Sequence, residues 1–310
     1  MRALVTGGGG FIGHHLVRRL LADGYEVRVL DNFATGRRER IEGLDVSLVE
    51  GDLRSYERAH TAVRGTDVVF HLGALPSVPR SVQDPLTTGA VNVEGTLNVL
   101  LAARDEDIRR VVFASSSSVY GASPVLPKTE ADQPLPLSPY GVSKLAAEHY
   151  CRAFTNVYGL ETVSLRLFNV FGPGQDPLSQ YAAVVPRFIA ALRSGSRPTV
   201  YGDGTQTRDF TYVEDVVDAF VLASAAPSAA GEVINVAAGR ETSLLDLLAL
   251  LSDLLETDAE PEFEPARAGE VRASHGDRAK AAAVLAWEPR WSLRQALDAS
   301  INALVLPSGG

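Results

Sequence analysis

Thr6-Gly7-Gly8-Gly9-Gly10-Phe11-Ile12-Gly13 follows a short apolar run at residues 2–5 and opens a helical pattern through Leu16, Val17, Leu20 and Leu21. Residues 2–6 read as a short buried strand, so Gly7, Gly10 and Gly13 form a GxxGxxG turn between a strand and a helix. The first glycine permits a tight turn, the second lets a pyrophosphate approach the backbone, and the third lets helix pack on strand. The helix N-terminus adds N–H groups and the positive end of a dipole. The same glycines also fit an ordinary glycine-rich turn. The residues beyond the helix narrow the choice. Gly24 closes the helix, residues 25–30 read as a second strand, and Asp31 ends it 18 residues after Gly13. At about that spacing an acid accepts from the ribose hydroxyls of a dinucleotide. Asp31 favours NAD over NADP, because a carboxylate repels a 2′-phosphate; Arg37 and Arg38 read as solvated loop charges.

The pattern continues outward. Residues 46–50 are strand-like and lead to Asp52, expected beside an adenine, and Leu53. Val68-Val69-Phe70-His71 is the next strand, followed by Leu72-Gly73-Ala74, where a second backbone approaches the cofactor; His71 reads as a hydrogen-bonded structural histidine. Residues 76–85 read as loop and residues 87–103 as a long helix, within which Asn92 faces either the cofactor or water. Val111-Val112-Phe113-Ala114 is a strand with Ser115-Ser116-Ser117-Ser118 at its C-terminal end, the edge at which ligands of open α/β sheets gather.

Ser138-Pro139-Tyr140-Gly141-Val142-Ser143-Lys144 then opens a helix. Four positions apart, Tyr140 and Lys144 share a face. A free phenol titrates near pH ~10, and an adjacent cation favours its phenolate and makes a base of it. An isolated YxxxK also fits an ordinary surface pair. His149 and Cys151 are expected to pack. Residues 162–167 form the next strand, and from Phe168 the composition changes, with loop, helix and strand at residues 172–204, a helix at 216–223 and a strand at 232–236 that returns to the large sheet. Residues 244–255 form an amphipathic helix whose leucines are core.

With 310 residues the chain can bury a large core. A net charge of −9 argues against a nucleic-acid backbone or an anionic membrane as main partner. One cysteine, Cys151, allows neither an intrachain disulfide nor a cysteine-based zinc site, and no histidine or carboxylate spacing suits a metal. No apolar run approaches the ~20 residues of a membrane span. No signal peptide is apparent, and a reducing, cytoplasmic setting is expected.

Together, TGGGGFIG, Asp31, SSSSVYG (115–121), SPYGVSK (138–144), LRLFNVFGPGQDP (165–177), GDGTQTRDFTYVED (202–215) and RAGEVRAS (267–274) resemble the extended short-chain dehydrogenase/reductase superfamily. Within it they are similar to the nucleotide-sugar epimerases and dehydratases. The resemblance implies an α/β fold: a Rossmann-type doubly wound parallel sheet with a smaller, partly discontinuous α/β substrate domain. It places the NAD-binding domain at 1–168 with about 211–238, and the nucleotide-sugar domain at 169–210 and 239–310. It implies NAD as cofactor, held by Gly7, Gly10, Phe11, Ile12, Gly13, Asp31, Asn32, Asp52, Leu53, Leu72, Gly73, Ala74, Asn92, Tyr140 and Lys144. It assigns Ser116 as catalytic serine, Tyr140 as base, and Lys144 as the residue that holds the nicotinamide ribose and lowers the phenol.

The two positions after the serine separate the reactions of this superfamily. Dehydratases carry an Asp-Glu pair there and UDP-glucuronate decarboxylases a glutamate at the second; Ser117 and Ser118 offer neither, which leaves 4-epimerisation. By the same resemblance Ser116, Ser117, Asn169, Gln175, Tyr201, Arg208, Arg267, Glu270 and Ser274 contact a UDP-sugar. Tyr201 packs on uracil, Glu270 accepts from the ribose, and Asn169, Arg208 and Arg267 hold the diphosphate or adjacent groups. Epimerases restricted to UDP-glucose and UDP-galactose have a tyrosine where Ser274 stands, so the small residue leaves room for an N-acetyl group and favours UDP-GlcNAc and UDP-GalNAc. A UDP-glucuronate 4-epimerase or another nucleotide-sugar oxidoreductase is the near alternative, with no evident cation for a uronate carboxylate. A non-catalytic NAD-binding protein is the distant one. A homodimer through the helices at 87–103 and 140–158 is implied.

Overall fold

The computed structural model describes residues 1–177, 183–266 and 271–303. β1 (Arg2–Thr6) runs through the glycine turn into α1 (Phe11–Ala22), β2 (Glu26–Asp31) and β3 (Val46–Glu50), and α2 (Tyr56–Val63) carries the chain back to β4 (Val68–His71). Then come α3 (Val78–Gln83), α4 (Pro85–Gly89), a π turn (Ala90–Glu94), α5 (Gly95–Asp105), β5 (Arg110–Ser116), α6 (Pro139–Tyr158) and β6 (Glu161–Leu167). The seven-stranded sheet has the order Val233–Val236, β6, β5, β4, β1, β2, β3, and every neighbouring pair is parallel. In register, Val5 lies between Val29 of β2 and Phe70 of β4. This is the doubly wound Rossmann-type α/β fold. Strand order reverses at β1, and the crevice outside the C-terminal ends of β1 and β4 is where such sheets bind ligands.

Helices cover both faces, which is why β5 is buried at every position and reads as one apolar run. On one face Leu16, Val17 and Leu20 of α1 pack with Val216, Val217 and Phe220 of the helix Val213–Ala225. On the other, Val63, Val99, Leu100, Ala147 and Phe154 pack under α2, α5 and α6. Phe70 and Phe113 are wholly buried, each adding about 1.5–3 kcal/mol of transfer free energy. A third cluster, including Phe171, Phe188, Phe210, Leu247, Leu251 and Leu297, joins the helices Val184–Arg193, Leu244–Leu255 and Leu293–Ala303.

Several expectations need correction. The stretch read as loop at 76–85 holds α3, because Ser77 caps it by accepting from the Arg80 N–H and a proline occupies its first turn. The helix expected at 87–103 starts at Pro85, capped by Asp84, and passes through a π turn at Asn92 before ending at Asp105. His149 is exposed rather than packed; the buried neighbour on that helix is Glu148. The helix expected at 216–223 spans Val213–Ala225.

Candidate functional site

At the C-terminal edge of β1 the backbone leaves no space for side chains. Gly7 has φ +72°, and a Cβ there would stand 2.8 Å from the Gly73 Cα; a Cβ on Gly13 would collide with the Gly7 carbonyl oxygen. Phe11 and Ile12 open α1 beside this turn. Asp31 is buried, with one carboxylate oxygen accepting from the Gly9 N–H and the other from the Phe33 N–H, each at 2.8 Å. Each oxygen keeps a lone pair for a ribose hydroxyl. Asn32 donates to Asp52 at 3.0 Å, and Arg54 bonds the same carboxylate and, with a second bond from its backbone N–H, draws its pKa down to about 2. The Leu53 side chain lies against Gly73 and Gly95, where added Cβ atoms would come within 2.7 and 2.9 Å of it. A bare backbone cradle, a helix N-terminus and an acceptor carboxylate suit a dinucleotide.

The floor of this crevice is a closed hydrogen-bond chain. Thr96 donates to the Asn92 carbonyl at 2.6 Å, so its oxygen accepts from His71 Nε2, and His71 Nδ1 accepts from Thr6. Burial draws His71 down to about 3, so it stays a neutral, structural histidine, as expected from the sequence. Asn92 does not face water. Its amide accepts from the Leu75 N–H at 2.8 Å, donates to the Leu75 carbonyl, and reaches Ser143 at 3.0 Å, so it fixes the end of the Leu72-Gly73-Ala74 strip to α6.

Ser116 ends β5 and Tyr140 is the second residue of α6, which begins behind the Ser138 cap. The two come close enough for the Ser116 side chain to favour the Tyr140 phenolate. Lys144 lies one turn on, with Nζ donating to the Ala114 carbonyl at 2.8 Å and standing 6.0 Å from the centroid of the Tyr140 ring. The expected lysine-lowered phenol is therefore not what the protein alone provides. Burial raises the Tyr140 pKa, with Ser116 opposing, while burial lowers Lys144 to about 8. The lysine is committed to a carbonyl rather than to the phenol oxygen.

One turn further along the same face is Glu148, which belongs to none of the sequence motifs. It accepts from Ser115 and from Arg166 through two bonds, at 3.0 and 2.8 Å, and both members of this ion pair are at most 5% exposed. Burial works against the Arg166 charge, yet its bonds to Glu148 hold its pKa above the usual value. The i, i+4, i+8 stripe Tyr140, Lys144, Glu148 is the signal that could have found it.

Beside Ser116 opens a cavity of about 290 Å³ whose wall includes Ser77, Ser117, Asn169, Arg208 and Ser274. Residues from five separate sequence segments thus converge there. Gln175 and Tyr201 are not in that wall. The Gln175 amide donates to the Val170 carbonyl at 3.0 Å, and the Arg187 guanidinium lies 5.2 Å from the Tyr201 ring centroid. Arg267 and Glu270 lie outside the described residues. The wall also holds a cation that sequence did not reveal, Lys128, buried at 4% exposure. Arg37 and Arg38 are solvated surface charges, about half exposed, and pair with Asp176 and Glu50. Among the described residues no group of side chains could hold a metal ion, and no helix is long and apolar enough to cross a membrane.

Comparison with known proteins agrees with this geometry. Residues 3–237 match the model of the NAD dependent epimerase/dehydratase family. A UDP-glucose 4-epimerase of Mycolicibacterium smegmatis is 41% identical over 97% of this chain and 98% of its own. Among solved structures, a UDP-glucose 4-epimerase of Thermotoga maritima with UDP-glucose is 36% identical, with a TM-score of 0.94 and coverage of 98% of both chains. A UDP-N-acetylglucosamine 4-epimerase of Methanobrevibacter ruminantium, in complex with UDP-N-acetylmuramic acid, is 37% identical, with a TM-score of 0.93 and coverage of 97% of both.

Proposed function

The chain belongs to the NAD-dependent epimerase/dehydratase family, and we propose that it is a UDP-sugar 4-epimerase that interconverts UDP-GlcNAc with UDP-GalNAc and UDP-glucose with UDP-galactose, favouring the acetylated pair. The observation that carries the sugar preference is Ser274. It lies in the wall of the cavity with Ser117, Asn169 and Arg208, and a small side chain there leaves space for an acetamido group.

The glycine turn and Asp31 would hold NAD, which would supply a reversible hydride acceptor for the sugar C4. The residues of this chain manage the proton and the oxygen. Tyr140 removes the proton from the 4-hydroxyl and, once the 4-keto sugar has turned over and hydride has returned to the other face of C4, gives the proton back to the 4-oxygen. Ser116, beside the phenol, hydrogen-bonds the same sugar oxygen. Because burial raises the Tyr140 pKa, the phenolate needs positive charge brought to it, and Lys144 contributes by keeping an ammonium one turn away. Ser117 and Ser118 offer no carboxylate for elimination, which leaves the ring substituents intact. Asn169 and Arg208 hold the diphosphate side. In this reading residues 1–168 with about 211–238 bind the cofactor and residues 169–210 with 239–310 bind the nucleotide sugar, in a cytoplasmic homodimer.

The test is Ser274→Tyr, assayed on both sugar pairs by chromatography of the C4 epimers. Filling the space is expected to lower kcat/KM for UDP-GlcNAc at least tenfold relative to UDP-glucose. Equal loss on both pairs would contradict the pocket argument.

A further inference from the structure

Lys144 brings the charge that the proposed phenolate needs, and it holds that charge in a place that disfavours it. The residue is buried, with Nζ bonded to the neutral Ala114 carbonyl and 4.8 Å from the centroid of the Phe113 ring. Burial lowers its pKa to about 8, with Cys151 and Glu148 opposing, so a modest further loss leaves an amine at neutral pH. The elements packed around it offer one standing negative charge. From β4 comes His71, which burial draws down to about 3 and keeps neutral. From β5 come Ala114 and Phe113, neither of them ionisable. From α6 come Tyr140, the group to be ionised, Cys151 and Glu148. Burial pushes the Cys151 thiol up to about 12, so it carries no charge at neutral pH. Glu148 remains.

This carboxylate is fixed in place. It stands one turn beyond Lys144 on the same face of α6, and it accepts from Arg166 of β6 through two bonds and from Ser115, the residue before Ser116 on β5. The Arg166 charge opposes that of Glu148, but Glu148 is the member of the pair that acts on Lys144. Stability alone does not call for a buried ion pair here, since apolar side chains of similar volume often serve as well.

We propose that Glu148 is a positioning residue for the epimerase reaction: its carboxylate, anchored by Arg166 and Ser115, keeps Lys144 an ammonium and so maintains the positive charge beside the Tyr140 phenolate. The inference rests on reading Tyr140 as the base and adds the group that sustains its cation. Glu148 touches neither the sugar nor the reacting atoms and acts only through Lys144.

The chain has three lysines, Lys128, Lys144 and Lys280, so lysine labelled at its ε-carbon gives three resonances, and Lys144→Met identifies the one in question. The experiment titrates that resonance by nuclear magnetic resonance in wild-type holoenzyme, Glu148→Gln, Glu148→Asp and the double variant Glu148→Leu with Arg166→Met. The pH dependence of kcat and KM is measured on the same samples by C4 epimer analysis. The Lys144 midpoint is expected to fall by about one pH unit in Glu148→Gln and in the double variant, while Glu148→Asp keeps most of the wild-type value. The alkaline limb of kcat is expected to move down with the midpoint, and kcat at pH 7 to fall roughly tenfold with little change in KM. The double variant separates this role from a structural one, because it removes the carboxylate without leaving a buried charge unpaired. A Lys144 midpoint unmoved in the double variant, or a moved midpoint with an unmoved kcat limb, overturns the proposal. If Glu148→Gln does not fold, the double variant decides. Failure of the epimerase reading looks different: the wild type forms no C4 epimer from any UDP-sugar, whatever the Lys144 midpoints are.

Discussion

Truncating Glu148 to alanine removes the only carboxylate that pairs with the Arg166 guanidinium among the described residues. Arg166 and Glu148 are 5% and 4% exposed, joined by bonds of 3.0 and 2.8 Å, and Ser115 donates to the same carboxylate. Arg166 Nη1 already lacks a partner among the described residues. With Glu148 gone, three further donors lose their acceptor in a site closed to water. Breaking such a buried pair costs about 3–5 kcal/mol, whereas replacing both members by apolar side chains of similar volume is often neutral. Glu148→Ala is therefore expected to lose about 3–5 kcal/mol, and Glu148→Leu with Arg166→Met to recover most of it. Urea unfolding followed by circular dichroism, with linear extrapolation to water, measures both. A loss below about 1 kcal/mol in the single variant, or a double variant as unstable as the single, would refute the reasoning.

Lys144→Met should stabilise the protein while removing a residue of the proposed mechanism. Folded Lys144 gives up its proton near pH 8 against 10.5 in the unfolded chain. Between those values the unfolded state holds more protons, so the lysine's contribution to stability rises with pH, and below pH 8 its buried charge costs about 3 kcal/mol. The variant is thus expected to be more stable than wild type at pH 7, by up to about 2 kcal/mol once the lost bond to Ala114 is subtracted, with the advantage shrinking toward pH 10.5. Thermal unfolding across that range checks it, and an advantage that does not change with pH would contradict it. Tyr140→Phe should lose most turnover in the C4 epimer assay while still retaining NAD, because the phenol moves the proton and lies apart from the glycine cradle; an unaffected rate would sink its role as base.

How much of this was legible in sequence depended on how local each feature is. The glycine turn, Asp31 and the serine-ended strand each depend on neighbouring residues, and the parallel strands announce themselves because both faces of the sheet are covered. The α3 helix was also there to read, in a serine cap with a proline two residues on, but the prolines at Pro76, Pro79 and Pro85 suggested loop. Glu148 belongs to no motif, and its burial depends on Arg166 arriving from the adjacent strand β6 and Ser115 from β5. Lys128 left no local signal, because only the pairing of its segment with residues 275–277 puts it in the cavity wall. The raised phenol of the protein alone was out of reach for a similar reason. Helical spacing correctly put Lys144 on the face of Tyr140, but spacing could not show that the Ala114 carbonyl would take the ammonium.

The most direct test of the epimerase account is to incubate the purified protein, without added cofactor, with UDP-GlcNAc and separately with UDP-glucose, and to separate the C4 epimers chromatographically. Conversion of both sugars, with UDP-GlcNAc the better substrate, is the predicted result and would establish retained NAD, reaction and pocket together. No conversion of either, with or without supplied NAD, would contradict it.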